Sequence, residues 1–390
     1  MAVIPGETIV DIFCAHFRSE TRPEVYRAPG RVNLIGEHTD YNLGFVFPIA
    51  IELACYVAVL PSGDERLRVY SQDFGEEFVI GMEQISEARP SGQWRDYPVG
   101  VAQQLIKSGF ALEGALLCIS SEVPVGSGLS SSAAIEVSTA LALLGPRRLD
   151  SLELALLAQR AESQFVGVPS GIMDQYASVF GREGAAIQID CRDLKHEYVP
   201  LPPDVAILAV NSLVKHELGT SAYRERVKEC QEAVAAIQVI DPNIRSLRDV
   251  SLEFFVQIQE SIPPLPRQRA RHVISDSQRV LDLAAAARAH DLREMGRLFV
   301  ASHRSMQYDY EISCEEIDFL VDTAIKIPGV YGARLTGGGF GGCTVNLVAP
   351  NAVPEFREAL SAAYEQRFNK TPAFYDCKPA AGAGRLLSGS

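Results

Sequence analysis

The sequence predicts a protein that mixes helices with strands and divides into at least two domains. The chain has 390 residues, and at roughly 150 residues per domain this length suggests two or three domains. Strand-like and helix-like segments alternate through the first half, whereas long helical patterns dominate the second half. The proline-rich run PLPP at residues 200–203 separates two apolar segments and indicates a boundary. We therefore expect an N-terminal domain of residues 1–200 and a C-terminal domain of residues 201–390.

In the first half, segments rich in β-branched and aromatic residues predict strands, and apolar residues at helical spacing predict helices. The Gly145-Pro146 pair terminates one helix, and Asp150 with Glu153 is typical of the N-cap of the next one. The predicted strands cover residues 55–60, 67–70, 115–120 and 184–190. The predicted helices cover residues 97–107 and 131–144, with a third that follows Asp150 and runs to about residue 166.

The second half begins with a predicted strand at residues 205–210. Helical patterns follow at residues 223–237 and 272–289, and the prolines of residues 263–266 predict a loop before the second of these helices. A further strand is predicted at residues 333–336, and residues 344–348 are predicted to form either a strand or the start of a helix. The one local basic cluster is interpreted as a solvated helix start without a function; its members are Arg267, Arg269, Arg271 and His272.

Composition excludes several classes of protein. A formal net charge of −13 disfavours general nucleic-acid binding and anionic membrane surfaces. The first seven residues lack the features of a signal peptide, and no apolar run reaches the roughly 18 residues of a membrane helix. The eight cysteines are scattered without a CxxC pair, so we expect reduced thiols in a cytoplasmic protein and no zinc site.

The segment RAPGRVNLIGEHTDYNLG, residues 27–44, is the most informative part of the chain. It places Arg31, Glu37, His38 and Asp40 within ten residues, beside glycines. Carboxylates and an imidazole can accept or share hydroxyl protons, and glycines let the backbone approach a ligand closely. Because an unpaired ligand hydroxyl is costly in such a pocket, the segment predicts selective sugar binding.

The segment PVGSGLSSSAA, residues 124–134, follows a predicted strand and opens a predicted helix. Gly126 and Gly128 permit a tight turn with inward N–H groups, and the helix start supplies free N–H groups and a positive dipole end. The serine hydroxyls add donors. The segment therefore predicts a phosphate-binding loop. The segment lacks the lysine of GxxxxGK[ST], so it is not a Walker A loop. The chain has neither an HRD nor a DFG motif, so it does not have the protein-kinase signature.

The segment LTGGGFGGC, residues 335–343, has five glycines in six positions. Such a run of glycines is typical of a backbone that passes close to a neighbouring segment or to a ligand, where a side chain would not fit. One interpretation is a β-bulge or a packing contact between domains, and the other is closure of an active site near the phosphates.

These three segments, in this order, resemble the signatures of the galactokinase family. That family belongs to a superfamily with homoserine kinase, mevalonate kinase and phosphomevalonate kinase. The resemblance covers the chain from about residue 23 to about residue 379. It implies a two-domain α+β small-molecule kinase with its active site in the interdomain cleft. It also implies transfer of a phosphoryl group from ATP, with Mg²⁺, to the C1 hydroxyl of α-D-galactose.

The resemblance also assigns roles to individual residues. Asp174, in GVPSGIMDQ, would face the attacking hydroxyl as a base or as an orienting group, and Arg31 would keep it ionised. Tyr223 matches more loosely, because many relatives have Ser-Glu-Tyr where this chain has Ser-Ala-Tyr. Trp94 would stack on adenine, and Ser132 with Glu162 would hold Mg²⁺. The implied sugar contacts are Glu37, His38, Asp40, Gly171, Asp174 and Tyr223. The implied phosphate contacts are Gly126, Ser127, Gly128, Leu129, Ser130, Ser131, Ser132 and Ala133.

Three alternatives remain at this point. A related sugar-1-kinase could act on N-acetylgalactosamine, galacturonate or arabinose, because the motif does not reveal what surrounds C2 or C6. A non-catalytic sugar sensor is disfavoured by the intact serine loop, and a kinase for a non-sugar alcohol by the GEHTDY run. We expect galactose and ATP as ligands, no nucleic-acid or membrane partner, and a monomer or weak oligomer.

Overall fold

The structure, a computed structural model, describes residues 5–215 and 219–386. Residues 1–4, which form part of the segment read as lacking a signal peptide, lie outside the described residues. The helices are α1 Pro5–Phe17, α2 Asp96–Lys107, α3 Ser131–Leu144, α4 Ser151–Arg160, α5 Met173–Phe180, α6 Gly219–Gln238, α7 Leu252–Ile258, α8 Pro264–Arg288, α9 Leu292–Ser305, α10 Glu315–Ala324 and α11 Val353–Phe368. The strands are β1 Glu24–Asn33, β2 Phe45–Val46, β3 Pro48–Pro61, β4 Arg66–Ser71, β5 Glu76–Gly81, β6 Ala115–Ser121, β7 Ala185–Asp190, β8 Lys195–Pro200, β9 Ala206–Lys215, β10 Val330–Thr336, β11 Gly341–Val348, β12 Ala373–Asp376 and β13 Gly384–Leu386.

The largest sheet has the order β13-β1-β3-β6-β4-β5 among the described strands; five of its strands come from the first half, and β13, from the end of the second half, pairs with β1 at its edge. Its neighbours pair antiparallel except for β4 and β6, which are parallel. The pairing of β1 with β3 shifts register between Pro29 and Arg31, so β1 is irregular where the sugar segment begins. Helix α3 packs on β1 and β3, which places the start of that helix beside the end of β1.

A smaller sheet of the first half has the order β2-β7-β8 among the described strands. Strand β2 follows the sugar segment directly and pairs with β7 through Phe45 and Asp190. The loop part of the sugar segment, residues 34–44, is therefore anchored in β-structure at both ends, by β1 in the larger sheet and by β2 in the smaller one.

The second half contains an antiparallel sheet of order β10-β11-β9-β12. Helices α10 and α11 cover it through a buried apolar cluster that includes Leu208, Val210, Phe356 and Leu360. The glycine-rich segment forms the turn between β10 and β11. Both halves thus combine helices with largely antiparallel sheets, as an α+β fold requires.

The predicted strands and helices are confirmed, with boundaries that differ by a few residues. Asp150 caps α4 by accepting from the backbone N–H groups of Leu152 and Glu153, and a π-helical turn, Ala161–Val166, continues that helix. No helix within residues 5–215 and 219–386 has the length and apolar character needed to cross a membrane.

Two predictions about the start of α8 are wrong. The helix begins at Pro264, inside the predicted loop, because proline fits the first turn of a helix, where its missing N–H costs nothing. The basic cluster is also not solvated throughout: Arg269 is 2% exposed and His272 is fully buried, whereas the Arg271 side chain is 43% exposed. Arg269 bonds Glu229 at 2.7 Å and Glu311 at 2.6 Å. Carboxylate partners on other elements, the buried Glu229 and the exposed Glu311, explain this difference, and the local pattern does not reveal them.

Candidate functional site

The sugar segment is folded back on itself by its own threonine. The Thr39 hydroxyl lies 2.8 Å from the carbonyl oxygen of Gly36 and 2.6 Å from that of Phe45. The backbone N–H of Gly44 also donates to the Thr39 carbonyl at 2.8 Å. These contacts close the loop that carries Glu37, His38 and Asp40.

Helix α8 supports this loop through hydrogen bonds to the backbone of Gly36 and Glu37. His272 Nε2 lies 3.1 Å from the carbonyl oxygen of Glu37, and the Gly36 N–H donates to Asp276 at 3.1 Å. Since a carbonyl oxygen can only accept, the His272 ring donates there. The sugar segment therefore depends on a helix more than 230 residues away in sequence.

Glu37 connects the sugar segment to the glycine-rich segment. Its carboxylate accepts from Arg334 and from the backbone N–H of Gly337, the latter at 3.2 Å. Arg334 also donates to the carbonyl of Leu34 at 2.6 Å. Burial raises the pKa of Glu37, and the Arg334 guanidinium opposes that rise. Both carboxylate oxygens of Glu37 thus have protein partners, and its predicted sugar contact stays a prediction.

His38 is buried with a positive φ of 61°, and both of its ring nitrogens have partners. Nδ1 lies 2.8 Å from the Tyr41 hydroxyl, and Nε2 lies 3.2 Å from the Gly338 carbonyl oxygen. Burial lowers the pKa of His38 to about 3, so the ring is neutral at physiological pH.

Asp174, in the first turn of α5, lies between Arg31 and Ser130. Arg31 donates through Nε at 2.8 Å and approaches the same oxygen through Nη2 at 2.7 Å. The Ser130 hydroxyl donates to the other oxygen at 2.6 Å. Arg31 is itself fixed by the Gly128 carbonyl at 2.6 Å. The carboxylate predicted to face the attacking hydroxyl is therefore held between β1 and the phosphate loop.

Asp40 and Gly171 are in direct contact. A Cβ atom added to Gly171 would lie 1.9 Å from an oxygen of Asp40, so only glycine fits there. Burial raises the pKa of Asp40 to about 6, and the negative charge of Asp174 adds to this rise. The carboxylates of Asp40 and Asp174, which are distant in sequence, are therefore close enough to repel each other electrostatically.

The phosphate loop borders a cavity of about 790 Å³, within the range of small-molecule sites. Ser130 adopts the left-handed conformation with a φ of 62°, which turns its hydroxyl toward Asp174. Ser127, Leu129 and Ala133 are buried, and the Ser127 hydroxyl donates to the Pro124 carbonyl at 2.7 Å. The lining residues that were predicted to bind ATP are Gly126, Gly128, Ser130, Ser131, Ser132 and Trp94.

Glu162 lies in the π-helical turn after α4, and its side chain is surrounded by polar groups. Its carboxylate accepts from the Ser170 hydroxyl at 2.6 Å and from the Gln175 amide at 2.9 Å, and it also hydrogen-bonds Ser132. Burial raises its pKa, as does the nearby charge of Asp174. Gln175 also donates at 2.9 Å to Glu136, a fully buried carboxylate. The two predicted Mg²⁺ ligands, Glu162 and Ser132, thus lie within hydrogen-bond distance of each other.

Trp94 lies on the wall of the same cavity. Its ring stacks on Phe74 with centroids 5.7 Å apart and an interplanar angle of 11°. Its indole N–H donates to Glu76 at 3.0 Å. The indole is thus fixed at the cavity wall rather than in the core.

The glycine-rich segment packs on the phosphate loop. A Cβ atom added to Gly337 would lie 3.1 Å from the Gly128 carbonyl oxygen, and one added to Gly342 would lie 3.0 Å from that of Ser127. Both glycines have a positive φ. Both interpretations of this segment are therefore compatible: it is a packing contact, and the contact lies beside the cavity.

Tyr223, near the start of α6, reaches the sugar segment. Its ring centroid lies 4.8 Å from that of His38 and 5.6 Å from that of Tyr41. Burial raises its pKa well above the ordinary value, and the charge of Asp40 contributes. Tyr223, the predicted sugar contact with the loosest match in the sequence, thus lies beside His38, another predicted sugar contact.

Sequence reasoning missed several residues of this site. Arg334 could have been noticed as the one charge in an otherwise apolar strand. Gln175 lies next to Asp174 within the quoted motif, and Tyr41 lies next to Asp40. Tyr310, Glu136 and Asp276 carry no local signal, because their partners come from distant segments.

Three family models match the chain. The galactokinase galactose-binding signature matches residues 11–61. The GHMP kinase N-terminal domain matches residues 96–182, and the GHMP kinase C-terminal domain matches residues 283–366. The first match contains the sugar segment, the second contains the phosphate loop together with Glu162 and Asp174, and the third contains the glycine-rich segment.

A galactokinase from Roseiflexus sp. (strain RS-1) is 49% identical over 365 residues, which are 93% of each chain. A galactokinase from Chloroflexus aggregans is 45% identical over 375 residues, 95% of this chain and 96% of that protein. The crystal structure of Lactococcus lactis galactokinase complexed with galactose superposes with a TM-score of 0.94 at 35% identity, covering 98% of this chain and 100% of that chain. Methanococcus jannaschii mevalonate kinase, at 18% identity and a TM-score of 0.65, covers 93% of this chain and all of that one, and shares the fold.

Proposed function

The chain belongs to the galactokinase family of GHMP kinases, and we propose that it transfers the γ-phosphoryl group of ATP to the C1 hydroxyl of α-D-galactose. The products are galactose 1-phosphate and ADP. One observation carries this proposal: the Asp174 carboxylate is held by Arg31 and Ser130 where the phosphate-loop cavity meets the sugar segment. A carboxylate fixed beside a phosphate loop suits the activation of a hydroxyl for phosphoryl transfer.

In this proposal Arg31 and Asp174 act as a pair. Asp174 accepts or orients the proton of the attacking hydroxyl, and Arg31 offsets negative charge on the group being transferred. Phosphoryl transfer needs alignment and charge neutralisation more than covalent chemistry. The two-point contact between Arg31 and Asp174 supplies that alignment.

We propose that galactose contacts Glu37, His38, Asp40, Gly171 and Tyr223, and that adenine stacks on Trp94. The phosphates are held by backbone N–H groups and serine hydroxyls of residues 126–133. The neutral His38 ring and the partly ionised Asp40 offer both a donor and an acceptor to sugar hydroxyls.

Mg²⁺ fits the donor set formed by Glu162 and Ser132. Burial beside Asp174 makes the charge on Glu162 unfavourable, and a divalent cation would offset that cost. Mg²⁺ usually takes one or two protein carboxylate or hydroxyl ligands together with phosphate oxygens and water. When bound, it would neutralise phosphate charge.

We also propose a cytoplasmic enzyme that is a monomer or weak oligomer. The eight cysteines all lie within the described residues, and all are free thiols. Six of them are buried, as expected for a protein of a reducing compartment. Size-exclusion chromatography with light scattering measures the oligomeric state directly.

The test is an ADP-release assay with Mg-ATP and a panel of galactose, N-acetylgalactosamine, galacturonate, arabinose and glucose. We expect strong preference for galactose. Preference for another sugar would preserve the mechanism and overturn the specificity. Galactose binding without turnover of any sugar would instead identify a sensor.

A further inference from the structure

A chain of hydrogen bonds runs from the second half of the protein into the sugar segment and ends at His38. The Cys230 sulfur lies 3.2 Å from the Tyr310 hydroxyl, and that hydroxyl lies 2.7 Å from the Tyr41 hydroxyl. Tyr41 lies 2.8 Å from His38 Nδ1, and His38 Nε2 lies 3.2 Å from the carbonyl of Gly338. Four side chains therefore connect α6 to the sugar segment and the glycine-rich turn.

The direction of this chain is determined at the Gly338 end. A carbonyl oxygen can only accept, so the nitrogen that faces it, His38 Nε2, carries the hydrogen. Because the buried ring is neutral, Nδ1 then carries a lone pair and accepts from the Tyr41 hydroxyl. The opposite tautomer would place the Nε2 lone pair against the carbonyl oxygen, and two acceptors repel each other.

The same direction continues through the tyrosines. Tyr41 has one hydroxyl hydrogen, which it gives to His38, so it accepts from Tyr310. The Tyr310 hydroxyl donates its one hydrogen to Tyr41 and therefore accepts from the Cys230 thiol. Burial raises the pKa of both Tyr41 and Tyr310 well above the ordinary value, which keeps both hydroxyls protonated.

The surrounding contacts fix these groups in place. Arg226 donates to the Tyr310 backbone carbonyl at 2.7 Å. Asn42 donates to the carbonyl of His38 at 2.9 Å and also hydrogen-bonds Cys230. The Tyr310 ring lies 4.9 Å from the His38 ring. These contacts limit how far Tyr310 can turn away from Tyr41.

We infer that Tyr310, and through it Cys230, are positioning residues. By donating toward Tyr41 they keep the Tyr41 hydroxyl donating to His38 Nδ1, and so reinforce the tautomer with its hydrogen on Nε2 that the Gly338 carbonyl also favours. A sugar hydroxyl that meets His38 at Nε2 then acts as an acceptor and shares the Nε2 hydrogen with the Gly338 carbonyl 3.2 Å away. A ligand group that can only donate, such as an ammonium, finds no acceptor at that nitrogen. The part of this inference that concerns sugar binding rests on the proposed function, and the tautomer does not.

Nitrogen-15 NMR of histidine-labelled protein without ligands tests the tautomer, since protonated and bare imidazole nitrogens have well separated shifts. Loss of one signal in His38→Gln identifies His38 among the seven histidines. We expect the hydrogen on Nε2 in the wild type and partial transfer to Nδ1 in Tyr310→Phe. A hydrogen on Nδ1 in the wild type would overturn the inference.

Galactose affinity, measured by calorimetry, tests the consequence. Loss of one buried hydrogen bond corresponds to a change of about tenfold, so we expect the galactose Kd to rise roughly tenfold in Tyr41→Phe and about fivefold in Tyr310→Phe. The turnover number should change by less than about twofold. Tyr308→Phe, an exposed tyrosine in the same turn, is the matched control and should leave affinity and spectrum unchanged.

Two cysteine variants separate positioning from folding. Cys230→Ala removes the terminal donor and should raise the galactose Kd by about twofold, while Cys230→Ser keeps a donor and should restore it. Unchanged affinity and spectrum in Tyr310→Phe would exclude a positioning role. A wild type with the hydrogen on Nε2 that phosphorylated no sugar would overturn the proposed function and support the tautomer.

Discussion

Asp40 retains a carboxylate in a place where burial disfavours its charge. Only 9% of the residue is exposed, and its pKa is raised to about 6 by burial and by Asp174. The folded protein therefore holds the Asp40 proton more tightly than the unfolded chain does. Ionisation of Asp40 above pH 6 costs stability, and that cost disappears below pH 4, where both states are protonated.

Asp40→Asn should therefore stabilise the protein at high pH. A pKa rise of two units is equivalent to about 3 kcal/mol, so we expect a gain of up to about 3 kcal/mol at pH 8. The gain should decrease as the pH falls through 6 and vanish near pH 4. Urea unfolding at pH 8, 6 and 4 measures it, and a gain independent of pH would contradict the assignment. Galactose affinity should fall in the same variant, because an amide cannot replace the carboxylate as an acceptor of two hydroxyls.

Asp174→Asn should reduce turnover and preserve nucleotide binding. An amide cannot take a proton, and general-base contributions are typically about 10²–10⁴-fold. The ADP-release assay measures the rate, and equilibrium dialysis measures ATP binding. Asp193→Asn, a surface carboxylate paired with Lys195, is the control. Turnover close to that of the wild type would remove Asp174 from the mechanism.

At this scale the sequence predicted the residues that lie in contiguous motifs and missed their partners. Arg31, Asp40 and Asp174 were singled out because each stands in a recognisable run. Arg334 stands out locally only as the one charge in its strand; its role was missed because its partner Glu37 is 297 positions away, so the sequence does not show what it pairs with. Ser130 was predicted to contact phosphate, which stays a prediction; the sequence did not reveal that its hydroxyl donates to Asp174, because that contact is set by the folded position of α5.

At the scale of elements, α8 shows where periodicity alone is insufficient. Its helical pattern was recognised, but its first turns were interpreted as solvated because they carry three arginines. In the structure Arg269 and Arg226 share the carboxylate of Glu229 at 2.7 and 3.0 Å. The same helix supports the sugar segment through His272 and Asp276. Helix α8 is therefore a packed interior element with charged contacts at its start.

Arg269→Ala should destabilise the protein strongly. Breaking a buried ion pair costs about 3–5 kcal/mol when the remaining charge has no other partner; since Arg226 stays 3.0 Å from Glu229, we expect a loss of about 2–3 kcal/mol. Arg271→Ala is the matched control on the same helix: its side chain is 43% exposed and pairs with Asp309, so its loss should cost less than about 1 kcal/mol. Urea unfolding followed by circular dichroism compares the two. Equal effects would show that the burial of Arg269 contributes nothing.

At the scale of the whole molecule, the sugar segment and the glycine-rich segment are held together by polar contacts. Glu37 pairs with Arg334, and the Thr336 hydroxyl donates to the Asn33 carbonyl at 2.9 Å. The glycine-rich segment in turn contacts the phosphate loop. Sugar segment, phosphate loop and glycine-rich turn therefore form one contiguous body, although they are far apart in sequence.

Arg334→Met should therefore affect both stability and ligand binding. We expect a loss of about 3–5 kcal/mol, because Glu37 is left buried without its cation, together with weaker galactose binding by calorimetry. Pairing it with Glu37→Met should recover part of the stability, since removal of both charges costs less than removal of one. Arg357→Met, at an exposed ion pair with Asp376, is the control. Strict additivity of the two substitutions would exclude the coupling.

Trp94 gives the molecule a built-in optical reporter. It is the one tryptophan in the chain, and it lies on the wall of the phosphate-loop cavity rather than in the core. All indole emission therefore originates at a single point beside Phe74 and the Glu76 carboxylate. A purine that stacks there changes the surroundings of that indole alone. Arrival and departure of nucleotide can thus be followed in real time by stopped-flow fluorescence, without a label.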